Sequence, residues 1–186
     1  MFMMSPRPRI TRRAMQRYRQ ETRERQGGGG PFDVEIREFG MTPRVESTIY
    51  RTEAPPEVAA LLGAGDVVVR ARRMFADDVP LQIASSYIPA DIAEGTVLEQ
   101  QNTGAGGLIS RMAELGYTQV RMAEHITVRP PTTDEADFFT MSSDERVFVI
   151  RHVGYTAEGR AVEAALQTLP THHWELDYEW DVEPGT

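Results

Sequence analysis

At 186 residues, 40% of them hydrophobic, the chain is long enough for one domain with a real core. It has no cysteine, which excludes disulfides, thiolate nucleophiles and cysteine-held metals. No apolar run approaches a membrane span or the hydrophobic region of a signal peptide, so the chain reads as cytoplasmic. The net charge of −8 is unevenly laid: residues 1–26 carry eight arginines against Glu21 and Glu24, leaving the remainder at −14. An acidic body repels nucleic acid, whereas a basic arm attracts it. All twenty basic residues are arginine, a bias that GC-rich coding produces without any chemical need for guanidinium.

Residues 1–30 read as a basic, arginine-rich linker or arm. "ITRRAMQRYRQETRERQ" offers too few apolar positions for a buried helical face, and "GGGG" at Gly27–Gly30 ends it as a flexible break. Residues 31–186 read as the folded domain. "FDVEIREFGMTP" opens it, and "RVESTIYRT" alternates as a strand. "PPEVAALLG" has proline at the start and glycine at the end of a short helix. "DVVVRARRMFA", the turn "DD" and "PLQIASSYIP" form a hairpin. "TGAGGLISRMAELG" is a glycine-led helix, and "TQVRMAEHITVRP" a strand. Then a short helix, "TDEADFFTM", precedes a second hairpin, "RVFVIRHVGYT" and "RAVEAALQTLP". "WELDYEW" reads as a last strand, with Trp174, Leu176, Tyr178 and Trp180 on one face as core or interface.

The two hairpins match without a gap. Setting Ala76 on Ala157 puts "VVVR" on "FVIR", Leu81 on Val162, Gln82 on Glu163, Ala84 on Ala165, Ile88 on Leu169 and Pro89 on Pro170. One unit used twice predicts an α+β domain: a single antiparallel sheet of internally duplicated hairpins, covered by short helices. The cleft between or beside the hairpins is the expected ligand site. No G-x-S-x-G elbow or phosphate loop is present. The four histidines, His125, His152, His172 and His173, read as surface residues, and neither a metal nor a cofactor is expected.

The stretch from "FGMTPRVESTIYRTEAPPEV" to "SSYIP", with the second half through "VFVIRHVGYTAEGRAVEAALQTLP", resembles the UTRA domain. UTRA is the effector-sensing domain of HutC-type regulators in the GntR superfamily. The resemblance implies a chorismate-lyase-like fold, a homodimer, an anionic small-molecule effector and no enzymatic activity. It also implies DNA binding through a separate winged helix-turn-helix domain, and residues 1–30 do not show its two helices and wing. Carried onto this sequence, the family's first arginine falls on Arg72, and its second falls on Met74. Arg70 shares the face of Arg72 by period two and is a substitute, with Arg73 as another. Gly106, Gly107 and Leu108 open the helix whose free amides and dipole suit an anion. Glu163 matches the family's glutamate, with Gln82 as its repeat partner. Tyr87 is a further ligand contact, although it and Ser86 read better as scaffold. Leu169 stands where some members have a ligand-touching tyrosine. The rival readings are a chorismate-lyase-like enzyme acting on a small aromatic acid, and a reader-less subunit that heterodimerises with a full regulator.

Overall fold

The computed structural model describes residues 9–24 and 29–182, so half of the proposed glycine break, Gly27 and Gly28, lies outside the described residues. Residues 10–23 form strand β1 (Ile10–Arg13) and two one-turn helices, α1 (Ala14–Arg17) and α2 (Gln20–Arg23). The domain proper begins with α3 (Pro31–Glu38). Its first half is β2 (Pro43–Glu53), α4 (Pro56–Leu62), β3 (Asp66–Ala76) and β4 (Val79–Pro89). A one-turn helix α5 (Ala90–Ala93), a 3-10 turn over Val97–Glu99 and α6 (Gly107–Glu114) join it to the second half. That half repeats the order: β5 (Arg121–Arg129), α7 (Thr133–Phe139), β6 (Val147–Tyr155) and β7 (Ala161–Pro170), followed by β8 (Trp174–Asp177).

Local chemistry sets the boundaries. Pro56 starts α4, and Gly63 closes it in the left-handed region. Thr132 caps α7, and Glu135 returns the bond to the Thr132 amide at 2.9 Å. Asp77 and Asp78 both hold positive φ, as a tight two-residue hairpin turn requires.

The six long strands make one antiparallel sheet in the order β2-β3-β4-β7-β6-β5. The α+β class and the duplicated hairpins are therefore as expected. At the centre, Ile83 pairs with Thr168 and Tyr87 with Ala164, so a pseudo-two-fold axis passes by Ser85 and Leu166. Side chains alternate between two faces. One face carries two apolar clusters. The first gathers Ile10, Phe32, Ile36, Met74, Leu81, Ile150, Leu169 and Trp174. The second gathers Val68, Ile88 and Val162 beneath Ile92, Leu98, Leu108 and Met112. The opposite face is packed by α4 through Val58 and Leu62 onto Val67, Val69 and Ala164. Among the described residues, no helix is long and apolar enough to cross a membrane.

Three expectations change. The gap-free match hides a one-residue slip. Arg72 pairs with Ala84, and His152 pairs with Ala165. Because Ala84 and Ala165 correspond, the counterpart of Arg72 is His152 and not Val153. The second hairpin is one residue longer in its turn, and one residue changes the face.

The arm is the second correction. Residues 10–13 pair in parallel with β8, Arg12 is fully buried, and Ile10 packs into the first cluster. The polar run looked unable to bury a face because its partners are charged groups distant in sequence. Third, β8 stops at Asp177. Trp174 is core and donates from Nε1 to the Leu81 carbonyl at 2.9 Å, and Tyr178 donates to Glu124 at 2.8 Å. Trp180 is 65% exposed, so the four residues do not share one strand face.

Candidate functional site

A cavity of about 890 Å³ lies on the sheet face between the two apolar clusters. Side chains of β3, β4, β7 and β6 form its floor: Arg70, Arg72, Met74, Gln82, Glu163, Gln167 and His152. The start of α6 makes one wall, and α3 with the N-terminal arm makes the other.

Arg72 donates from Nη2 to Ser86 Oγ at 2.7 Å. Its Nε is buried without a hydrogen-bond partner. Burial pushes the guanidinium below its ordinary value, and the charge of Glu163 partly opposes the shift. Among the described residues Arg72 has no carboxylate within ion-pair distance. A desolvated cation with an open donor can hold an anion.

Arg70 lies on the same face, as the period predicts, but its donors are engaged. It donates to the carbonyls of Leu98 and Gln100, both at 2.6 Å, and of Gln101 at 3.0 Å. Burial, joined by the charge of Arg72, brings its pKa down to about 10. Arg70 thus clamps the cavity rim and adds positive potential. Arg73 points to the other face, over the Phe138 ring at 5.0 Å.

Gly107 and Leu108 line the cavity. Gly107 has φ of +64°, and a Cβ there would stand 2.9 Å from the Gly30 Cα, so glycine lets the two walls meet. Gly106 does not line the cavity. Its carbonyl accepts from Arg23 at 3.4 Å, and Arg23 also reaches Ser110 Oγ at 2.8 Å. Glu163 is buried and accepts from Gln119 Nε2 at 3.2 Å. Tyr87 faces the α4 side of the sheet and packs with the cluster there, away from the cavity. Leu169 is core. Arg72, Arg70, Gly107, Leu108 and Glu163 are therefore brought together, whereas Gly106 and Tyr87 are not.

Several lining residues escaped the sequence reading. Gln167 is the repeat counterpart of Ser86 and could have been found from the match. His152, read as a surface residue, is only 2% exposed; its Nδ1 lies 3.7 Å from Glu124 Oε1, and Nε2 has no partner among the described residues. Its ring stacks on Tyr18 of the arm, with centroids 4.6 Å apart. The Tyr18 hydroxyl donates to Glu124 at 2.9 Å. Burial raises the Tyr18 phenol to about 12, so it stays a donor at neutral pH. Arg17, Tyr18 and Glu24 bring the arm into the cavity wall. Nothing in their local pattern marks this role.

The UTRA domain family model matches residues 40–174. An uncharacterized HTH-type transcriptional regulator of Streptomyces coelicolor is 28% identical over 141 residues, which is 73% of this chain and 52% of that protein. The chain thus spans about half the length of such relatives. PhnF from Mycobacterium smegmatis superposes with a TM-score of 0.77 at 17% identity, covering 95% of this chain and 74% of that one. A GntR-family transcriptional regulator from Enterococcus faecalis superposes with a TM-score of 0.62 at 16% identity, covering 76% and 100%. The duplicated hairpin sheet, the cavity at its pseudo-axis and the family match agree: the chain belongs to the UTRA domain family.

Proposed function

We propose that the chain is the small-molecule-sensing and dimerising part of a GntR-family transcriptional regulator, and that its effector is an anion held in the cavity by Arg72. One observation carries this reading: Arg72 lines the cavity with a buried guanidinium whose Nε is unpartnered and which, among the described residues, is bonded to no carboxylate. The start of α6 adds backbone amides of the same electrostatic sign. Glu163 lies on the second repeat, where it accepts from a ligand hydroxyl or amine. The arm supports a route for the signal. Its residues Arg17, Tyr18 and Glu24 line the same cavity, so an occupant that favours one arm placement biases whatever the arm is joined to.

A thermal-shift screen of acidic metabolites tests the reading. A binder at a hundred times its dissociation constant adds about 2.7 kcal/mol of stability. A panel that spans carboxylates and phosphates and shifts nothing counts against it. Glu163→Gln should weaken the first binder less than loss of Arg72 does, by about tenfold or under, because the amide keeps one acceptor and the shape. Calorimetry reads the difference.

We also propose a homodimer. Trp180 and Val182, 65% and 82% exposed beyond β8, support a partner on that side. Light scattering at tens of micromolar should give twice the 20.9 kDa chain mass, and a monomer mass would refute the dimer.

A further inference from the structure

We propose that His152 is a ligand-contacting residue, forming with Arg72 the two ends of one binding trough, with its Nε2 accepting from a hydroxyl or amine of the bound molecule. The inference rests on the cavity being the effector site and adds what its far end recognises.

The pseudo-symmetry supplies the first reason. Arg72 stands opposite Ala84 on β4, and His152 stands opposite Ala165 on β7. The two side chains therefore occupy equivalent floor positions on β3 and β6, whose backbones are three strand spacings apart, roughly 14 Å. The other floor positions are also polar: Gln82 corresponds to Glu163, and Ser86 to Gln167. A trough with matching ends suits an elongated ligand lying across β4 and β7.

Unsatisfied chemistry supplies the second. His152 is 2% exposed and lines the cavity, yet among the described residues Nε2 has no hydrogen-bond partner and Nδ1 meets only Glu124 Oε1, at 3.7 Å. Gln82 and Gln167, equally buried on the same floor, each keep an unpartnered Oε1. Buried polar atoms without protein partners are rare in folded proteins, and a row of them along a cavity floor can receive the polar groups of a ligand.

The sign of the far end comes from its neighbours. His152 Nδ1 lies 3.7 Å from Glu124 Oε1, so in the neutral ring Nδ1 is the nitrogen that carries the proton and Nε2 the one that accepts. Glu163, on the adjacent strand, holds only the amide of Gln119 within hydrogen-bond distance among the described residues. Glu124 is compensated by Arg12, Tyr18 and Tyr178. The β6–β7 end is therefore a set of acceptors, whereas the β3 end is cationic. The trough selects a molecule with an acid group at one end and hydrogen-bond donors at the other.

A ruler series tests this. Straight-chain ω-amino carboxylates from γ-aminobutyrate through aminooctanoate are titrated against the plain carboxylates of equal length, with calorimetry and NMR of isotope-labelled histidine rings. The expected result is Arg72-dependent binding of both series. One aminated length should bind best and shift the ring nitrogens of His152, its plain counterpart should not, and His152→Phe should remove about fivefold of the aminated preference, the size of one net hydrogen bond. Phenylalanine keeps the stack on Tyr18. The ring shift in the unaltered protein reads the contact independently of whether that variant folds. Arg72-dependent binding with no ring shift and no amine preference overturns the role of His152 and leaves the effector site standing. Binding that ignores Arg72, or no binding by any member, overturns both.

Discussion

Arg12→Met should lower unfolding stability by about 3–5 kcal/mol, the cost of leaving a buried partner charge unpaired. Arg12 is fully buried and held by both oxygens of Glu124, one at 2.9 Å, and by the Tyr18 hydroxyl at 3.0 Å. Burial alone would raise the Glu124 carboxyl. His152, Arg12 and Tyr178 outweigh it and hold the group well below the ordinary carboxylate range. A depressed folded pKa means that this stability is present above about pH 4.3 and is lost as pH falls toward the folded value. Removing the guanidinium brings the loss to neutral pH. The arm then releases from β8, and Trp174 loses the cover of Ile10. Urea denaturation followed by tryptophan fluorescence checks the magnitude. Arg12→Met with Glu124→Gln should recover part of it, because the stranded charge is gone. Equal stability of Arg12→Met and the parent would mean that the arm does not pack as described.

Arg72→Ala should cost the first effector found about 1.5–3 kcal/mol, ten- to a hundredfold in affinity, through lost charge-assisted bonds. Stability should change little or even rise, because the guanidinium is desolvated with one neutral partner, Ser86, and no ion pair among the described residues. The contrast with Arg12 separates a structural arginine from a binding one on the same sheet face. Calorimetry and urea unfolding, run on the same variant, check both halves. A large stability loss with unchanged affinity would reverse the assignment.

Much of the architecture is legible from local chemistry. Period-two apolar runs on either side of Asp77–Asp78 and of Glu158–Gly159, and prolines at Pro89 and Pro170, mark both hairpins and therefore the centre of the sheet. Arg72, Arg70 and Glu163 share one face because they lie on strands whose alternation can be counted. What the sequence hides is non-local. Arg12 looks like a solvated arginine until Glu124, on the other end of the domain, is placed beside it. His152 is concealed by a single extra residue in the second turn, which moves the counterpart of Arg72 from Val153 to its neighbour. Tyr87 alternates correctly but belongs to the face that α4 covers, and sequence alternation alone does not say which face holds the cavity.

The most direct test is a crystal structure of the chain with the first acidic metabolite that stabilises it. The molecule is expected within the cavity over β3, β4 and β7, its acid group on Arg72 and the start of α6, its other end toward Glu163 and His152. A ligand bound elsewhere, or seated there with its acid group away from Arg72, would contradict this assignment.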